Sequence, residues 1–162
     1  MPRCAVVADV DPCLSAVTAH LLTSVFDTPV YRSQIHRQID FYTSVAPSFD
    51  SALAAEIVGS PIGDFRLPDE LAHEDVVALI SATGIAPHDK TAVRLLNHDV
   101  PVLQLGKFHP MKIDFANFDE RVAGHSFALA LAEASVGMCD YLLNFLVPFT
   151  KEDRKHLPLK PH

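Results

Sequence analysis

The feature that most constrains the fold is an unbroken apolar run at residues 75–81, Asp-Val-Val-Ala-Leu-Ile-Ser. A strand with one solvated face alternates apolar and polar side chains, and this run does not alternate. Such a run is typical of a parallel strand that is buried on both faces. Because parallel neighbours need a crossover connection, which is usually a helix, the chain is expected to alternate strands with helices.

The N-terminal segment fits this expectation. Residues 3–8 form a short apolar run of strand length, and a helix is predicted directly after it. Asp11 can cap that helix, and Pro12 suits the first helical position, where its missing N–H costs nothing. Apolar residues at spacings of three and four then mark one helical face that ends near Asp27: Leu14, Val17, Leu21 and Val25.

The middle of the chain gives signals of unequal strength. Residues 29–35 are a candidate second strand, whereas residues 36–47 are ambiguous. Ser48 is a candidate cap for a helix that stops at Gly59. A short helix is predicted over residues 68–71.

The second half repeats the alternation. A helix is predicted over residues 87–97 and a strand over residues 100–105. Asp119 is expected to cap a long helix, and residues 141–147 are either a last strand or a continuation of that helix. The side chains predicted to share one face of the long helix are Val122, Leu129, Ala132 and Val136.

This order of elements predicts an α/β fold: a single three-layer domain with a mainly parallel central sheet and helices on both faces. The domain is expected to span residues 1–156, with a frayed tail at residues 157–162. Residues 76–80 and 100–105 should be neighbouring parallel strands in the sheet interior. A chain of 162 residues, 49% of them hydrophobic, is long enough for one such core.

Composition excludes several classes of function. Thirteen Lys and Arg residues face 20 Asp and Glu residues, which argues against nucleic-acid binding. Asp9 and Asp11 interrupt the N-terminal apolar stretch, and Glu133 and Asp140 interrupt the longest one, residues 127–149. Neither a signal peptide nor a membrane contact is therefore expected, and the protein is predicted to be cytoplasmic. Three cysteines without a C-x-x-C pattern give no disulfide framework or thiolate zinc site. No glycine-rich nucleotide loop occurs.

A site is predicted by geometry, because ligands of open parallel sheets bind beyond the carboxyl ends of the strands. Asp9 and Asp64 are candidate bases or metal ligands, His88 a candidate neutral proton donor or acceptor, and Lys107 a candidate stabiliser of developing negative charge. The residues expected to contact the substrate are Ser60, Ser81, Thr83 and His109. The metal is unknown, although Asp9 and Asp11 could hold magnesium through oxygen ligands.

The segment around Asp9 and Asp11 is similar to a motif of two known families. Residues 5–14 resemble the first motif of haloacid-dehalogenase-type phosphatases, an apolar strand followed by D-x-D. Cys13 stands where that motif has a threonine, and no GD-x-x-x-D motif follows. The same segment is similar to the acidic first turn of response-regulator receivers, but Ser81 and Thr83 stand where a receiver has its phosphoacceptor aspartate.

A third resemblance is spread along more of the chain, which is similar to methylglyoxal synthases in four blocks: Asp9, residues 59–64, residues 87–89 and residues 101–102. It implies that Asp64 is a general base, that His88 polarises a carbonyl and that Ser60 contacts phosphate. The family's lysine after the first strand and its Gly-Thr-Thr-Gly loop have no counterpart here. None of the three resemblances assigns the chain to a family.

The sequence therefore predicts a small-molecule enzyme that uses acid–base chemistry on a polar, carbonyl-bearing or phosphorylated metabolite, either a lyase or a hydrolase. The alternative is a noncatalytic ligand-binding or signalling module on a Rossmann-like or receiver-like sheet. A homo-oligomer is also expected, because residues 126–149 carry only two formal charges. Its predicted contact is the small-residue face of the long helix.

Overall fold

The computed structural model describes residues 3–9, 11–29, 39–44, 51–82, 84–85, 88–107 and 125–143. Within these ranges the chain forms four strands and four α-helices, with one-turn 3-10 helices at His73–Asp75 and Leu105–Lys107. In chain order the elements are β1 (Arg3–Val7), α1 (Pro12–Phe26), β2 (Ile39–Thr43), α2 (Ser51–Val58), β3 (Val76–Ser81), α3 (Lys90–Asn97), β4 (Val102–Gln104) and α4 (His125–Tyr141).

The four strands form one parallel sheet in the order β2-β1-β3-β4. Every residue of β3 is buried, as its unbroken apolar run predicts. From β1 the chain crosses to β2 on one side and then returns to β3 on the other side. The strand order therefore reverses between β1 and β3, which is where ligands bind in open α/β sheets.

Helices cover both faces of this sheet, so the predicted three-layer architecture is confirmed. On one face α1, α2 and α4 pack on residues such as Val7 and Ile80. On the other face α3 buries Ala92 and Leu95 against Val6 and Leu79. Each face of the sheet thus has its own apolar cluster, and the carboxyl ends of the strands emerge between them.

The start and end of α1 and the end of α2 lie at the residues that the sequence predicts. Pro12 opens α1, and the helix ends at Phe26 with Asp27 as its C-cap. Gly59 ends α2 with a φ of 74°, a left-handed conformation that costs glycine little. Its N–H donates to the carbonyl oxygen of Ala55. The predicted cap at Ser48 lies outside the described residues.

The second strand of the described sheet lies later in the chain than the candidate at residues 29–35. Residues 30–35 lie outside the described residues, and the strand occurs at Ile39–Thr43, inside the stretch whose pattern is ambiguous. Its burial alternates: Ile39, Phe41 and Thr43 are buried, and the two residues between them are only half-buried. Asp40 interrupts the apolar pattern here, and this polar residue hides the strand from a search for apolar runs.

Two further predictions around β3 need correction. The helix predicted over residues 68–71 is wrong, because those residues form bends and the single helical turn lies at His73–Asp75. β4 pairs in parallel with β3, as predicted, with Leu79 opposite Val102. However, β4 is the edge strand of the described sheet, and Val102 is 37% exposed. It spans three residues, of which only Leu103 is buried.

The helical face that contains Leu129, Ala132 and Val136 is not the buried face of α4. Leu129 and Val136 are exposed, and the buried stripe consists of Leu131, Ala134, Ser135, Met138, Cys139 and Leu142. The helix continues to Tyr141, which settles that part of residues 141–147 as helical, whereas residues 144–147, Asp119 and Val122 lie outside the described residues. No helix in the described ranges is long and apolar enough to cross a membrane.

Candidate functional site

The loop after β1 is closed by Asp9. This side chain is fully buried, and both of its carboxylate oxygens lie 3.1 Å from the backbone nitrogen of Ala82, just beyond β3. The N–H of Asp9 donates to the hydroxyl of Ser15 at 3.0 Å. Asp9 therefore joins the two central strands to the first turns of α1 at the point where the strand order reverses.

Asp11 satisfies the first turn of α1. Its Oδ1 accepts the N–H of Cys13 at 2.8 Å and the N–H of Leu14 at 3.4 Å. Two of the orphan donors at this helix start are therefore occupied by the chain itself. The magnesium hypothesis loses support, since both aspartates bind backbone N–H groups. In the described ranges no group of three or more His, Cys, Asp or Glu residues could hold a metal ion.

A second link spans the same edge of the sheet. Ser44 follows β2, and its N–H donates to the carbonyl oxygen of Val7 at 3.1 Å. Its hydroxyl donates to Oδ2 of Asp89. Asp89 in turn caps α3 by accepting the N–H of Ala92 at 3.0 Å. The loops after β1, β2 and β3 are thus fastened to one another by short polar side chains.

Four predicted site residues follow adjacent strands of this edge. Asp9 follows β1, Ser81 ends β3, His88 precedes α3 and Lys107 follows β4. Asp9 and Ser81 are fully buried, and His88 and Lys107 are exposed. The hydroxyl of Ser81 has no hydrogen-bond partner. These four residues thus lie at the carboxyl edge of the sheet, as the strand-end rule predicts, but two of them are buried and two are exposed.

The other predicted residues lie away from this group. Arg66 forms a bridge with Thr43 of β2, so Asp64 lies beyond β2, where it pairs with Arg66 at 3.6 Å. The hydroxyl of Ser60 lies 3.2 Å from Nε2 of His20 on α1. β2 therefore separates Asp64 from β1, and Ser60 belongs to the α1 surface. Thr83 and His109 lie outside the described residues.

His88 faces an open groove of ≈ 380 Å³ rather than the loop that contains Asp9. Residues of the 88–98 segment line it: His88, Lys90, Val93, Arg94, Asn97 and His98. Neither Asp9 nor Lys107 lines this groove. The single cleft predicted for Asp9, His88 and Lys107 stays a prediction.

Burial shifts the pKa of four groups among the described residues: Cys4, Cys139, His20 and Tyr42. Burial, with Asp75 and Asp40 nearby, raises the pKa of Cys4 to about 11, and burial beside Asp140 also raises the pKa of Cys139. Both remain thiols at neutral pH and are unsuited to nucleophilic attack. Burial lowers the pKa of His20 below 6.5, which favours a neutral imidazole beside Ser60.

No protein-family model matches the chain, and no curated protein matches it. Solved structures do. YwlE arginine phosphatase, in a mutant with a phosphorylated active-site serine, has 15% identity and a TM-score of 0.55 over 90% of this chain and 97% of the phosphatase. A YwlE mutant from Bacillus subtilis has 13% identity and a TM-score of 0.57 over 88% and 99% of the two chains.

A protein tyrosine phosphatase from Entamoeba histolytica, with Hepes in its active site, has 10% identity and a TM-score of 0.57. The match covers 88% of this chain and 97% of that one. These neighbours span nearly all of both chains at very low identity. The chain therefore has the three-layer α/β fold that these phosphatases share.

Proposed function

We propose that this chain is a noncatalytic binding or signalling module built on a phosphatase-like sheet. The observation that carries the proposal is the buried carboxylate of Asp9, which is bonded to the Ala82 N–H beside the start of α1. In sites that handle phosphate, the free N–H groups of a helix start receive the anion. Here the loop between β1 and α1 instead buries the carboxyl group of Asp9, which offers acceptor oxygens rather than N–H donors to an anion.

The available donors support the same view. The N–H groups of Cys13 and Leu14 are bound by Asp11, and the N–H of Asp9 is bound by Ser15. A phosphate would have to displace these contacts and then lie beside two carboxylates. Like unit charges 4 Å apart repel by about 4 kcal/mol at the effective dielectric constant of a protein surface. Phosphate binding at this turn is therefore strongly disfavoured.

Exposed apolar side chains support a role in binding another macromolecule. Val93 and Leu96 on α3 and Val102 on β4 are large and exposed. Exposed apolar surface with a polar rim is typical of protein contacts. We therefore assign the binding role to the surface of the domain rather than to a cleft at the strand ends.

The proposal is tested by titrating the full chain with inorganic phosphate and with orthovanadate in a calorimeter. We expect no saturable heat from either anion. Asp9→Asn, titrated in parallel, should bind more of either anion than the unmodified chain, because an amide that can donate then replaces the buried carboxyl group. Stoichiometric binding of either anion to the unmodified chain would contradict the proposal.

A second candidate, a hydrolase of phosphorylated substrates, has one specific observation in its favour besides the fold. Cys13 lies in the first turn of α1, and a cysteine at a helix start is stabilised as the reactive thiolate. It is nevertheless buried. The hydrolase predicts rapid alkylation of Cys13 by iodoacetamide at neutral pH, slowed by phosphate. The module predicts alkylation of Cys13 no faster than that of Cys139, measured by mass spectrometry.

The acid–base roles predicted for His88 and Lys107 belong to this second candidate. Both side chains are exposed, so His88→Asn and Lys107→Met should each change the free energy of unfolding by less than ~0.5 kcal/mol. An enzyme that depends on them would lose turnover of a phosphorylated substrate in these variants. Asp64→Asn serves as the control for a candidate base that lies beyond β2.

A further inference from the structure

Two open grooves flank α3 and meet at Arg94. The basic groove, of ≈ 380 Å³, is lined by His88, Lys90, Val93, Arg94, Asn97 and His98. The acidic groove, of ≈ 600 Å³, is lined by Leu67, Pro68, Asp69, Glu70, Leu71, Ala72, Thr91 and Arg94. Because Arg94 borders both, the two grooves are adjacent surfaces on either side of one helix.

The charges of the two grooves are opposite in sign. Lys90 and Arg94 are exposed on the basic side, and Asp69 and Glu70 are exposed on the acidic side. In the ranges that the structure describes, no ion pair engages any of these four side chains. The surface therefore carries a positive and a negative site side by side. Within the described ranges, no ion pair of the same chain neutralises the charge of either site.

We propose that this surface binds a second copy of the same chain across a two-fold axis near Arg94. In such a contact each patch meets its symmetry mate, so the basic groove of one protomer lies on the acidic groove of its partner, and the reverse. The same surface of each protomer therefore makes both contacts between opposite charges. This inference does not depend on whether the strand-end site is catalytic.

The apolar residues of the two grooves also match. Val93 is 44% exposed in the basic groove. The acidic groove offers Leu67, Pro68 and Leu71, two of which are only partly buried against the core. Under the same two-fold axis, Val93 of each protomer covers this apolar floor. Apolar contact then supplies affinity and the charges set the orientation.

The long helix α4 suits a contact between two copies of the chain less well than its composition predicts. Its exposed face carries Leu129 and Val136, but Glu133 and Asp140 are exposed on the same helix. A symmetric contact through that face would bring like charges together, which is unfavourable. On the α3 surface the two signs are separated across the helix, so Lys90 of one protomer faces the acidic groove of the other. Arg94 alone meets its symmetry mate near the axis, and each Arg94 also borders an acidic groove, where Asp69 and Glu70 offset the repulsion.

The test is a charge swap on the full chain, with mass measured by light scattering after gel filtration at micromolar concentration. The basic-reversed variant is Lys90→Glu with Arg94→Glu, and the acidic-reversed variant is Asp69→Lys with Glu70→Lys. We expect the unmodified chain to have the mass of two chains. Each variant alone should raise the dissociation constant by ~100-fold or more and elute as a monomer.

Mixing the two variants should restore the dimer, because the reversed chains then present opposite charges in both grooves. Arg66→Glu, which reverses an exposed charge beyond β2, is the control and should stay dimeric. All substituted side chains are exposed, so far-UV circular dichroism and melting curves should match the unmodified chain.

Three results would overturn the inference. The unmodified chain could have the mass of one chain at every concentration. Both reversed variants could stay dimeric while Leu129→Glu with Val136→Glu becomes monomeric, which would assign the contact to α4. Alternatively, the folded reversed variants could fail to form a mixed dimer, which would contradict the pairing of the two grooves.

Discussion

Asp9 gives the sharpest test of the strand-end architecture. Replacing it with alanine removes the acceptor of the Ala82 N–H while leaving that donor buried, since Ala82 is almost fully covered. We expect Asp9→Ala to lower the free energy of unfolding. Asp9→Asn keeps one carbonyl oxygen in the same place, so most of the stability should be retained in that variant.

The magnitude follows from the contacts of Asp9. A buried donor without a partner costs about 1–3 kcal/mol, and a typical hydrogen bond contributes about 0.5–1.5 kcal/mol. Both carboxylate oxygens accept from one N–H, so this is a single bond rather than two. The expected loss is therefore about 2–3 kcal/mol for Asp9→Ala and about 1 kcal/mol or less for Asp9→Asn.

Urea unfolding followed by circular dichroism measures these differences, provided that the slope with denaturant is unchanged. Asp64→Ala is the matched control, because Asp64 is exposed and, among the described residues, its carboxylate contacts only Arg66. Its substitution should cost less than ~0.5 kcal/mol. A loss below 0.5 kcal/mol in Asp9→Ala, on the order of that control, would refute the role given to Asp9.

For three further substitutions, the structure predicts the direction of the change in stability. Asp11→Ala removes the cap of α1 and should cost about 1 kcal/mol, read from the urea midpoint. Burial raises the pKa of Cys4 to about 11. The buried thiol therefore contributes its full stability below pH 9.0, and this stability is lost as the pH rises towards 11. Cys4→Ala should reduce this alkaline loss of stability. Burial lowers the pKa of His20, so stability should fall as the pH falls below 6.5, and unfolding of His20→Gln should depend less on pH there.

Local chemistry explains which elements could be predicted from the sequence. Asp11 and Pro12 specify the start of α1, Gly59 specifies the end of α2, and the unbroken apolar run specifies β3. Each of these signals acts within a few residues. The strand-end rule then placed Asp9 at the correct edge of the sheet without knowledge of any side-chain contact.

Features that depend on distant parts of the chain could not be predicted. α4 is apolar on most sides, so its pattern cannot select a buried face, and packing on α1 decides it: the Cys139 thiol lies 3.7 Å from the carbonyl oxygen of Leu22. The link between Ser44 and Asp89 joins residues 45 positions apart. Both residues have ordinary local roles, as a loop serine and a helix cap, and only the folded sheet brings them together.

Turnover of phosphorylated substrates tests the central claim most directly. The full chain should be assayed with p-nitrophenyl phosphate, a phosphotyrosine peptide and a phosphoarginine peptide, with and without magnesium. Because Asp11 occupies the N–H groups of Cys13 and Leu14 at the start of α1, and the buried carboxyl group of Asp9 fills the loop before it, we predict rates equal to those of buffer alone. Saturable hydrolysis that is lost in Cys13→Ser but retained in Cys139→Ala would contradict the account and establish the hydrolase instead.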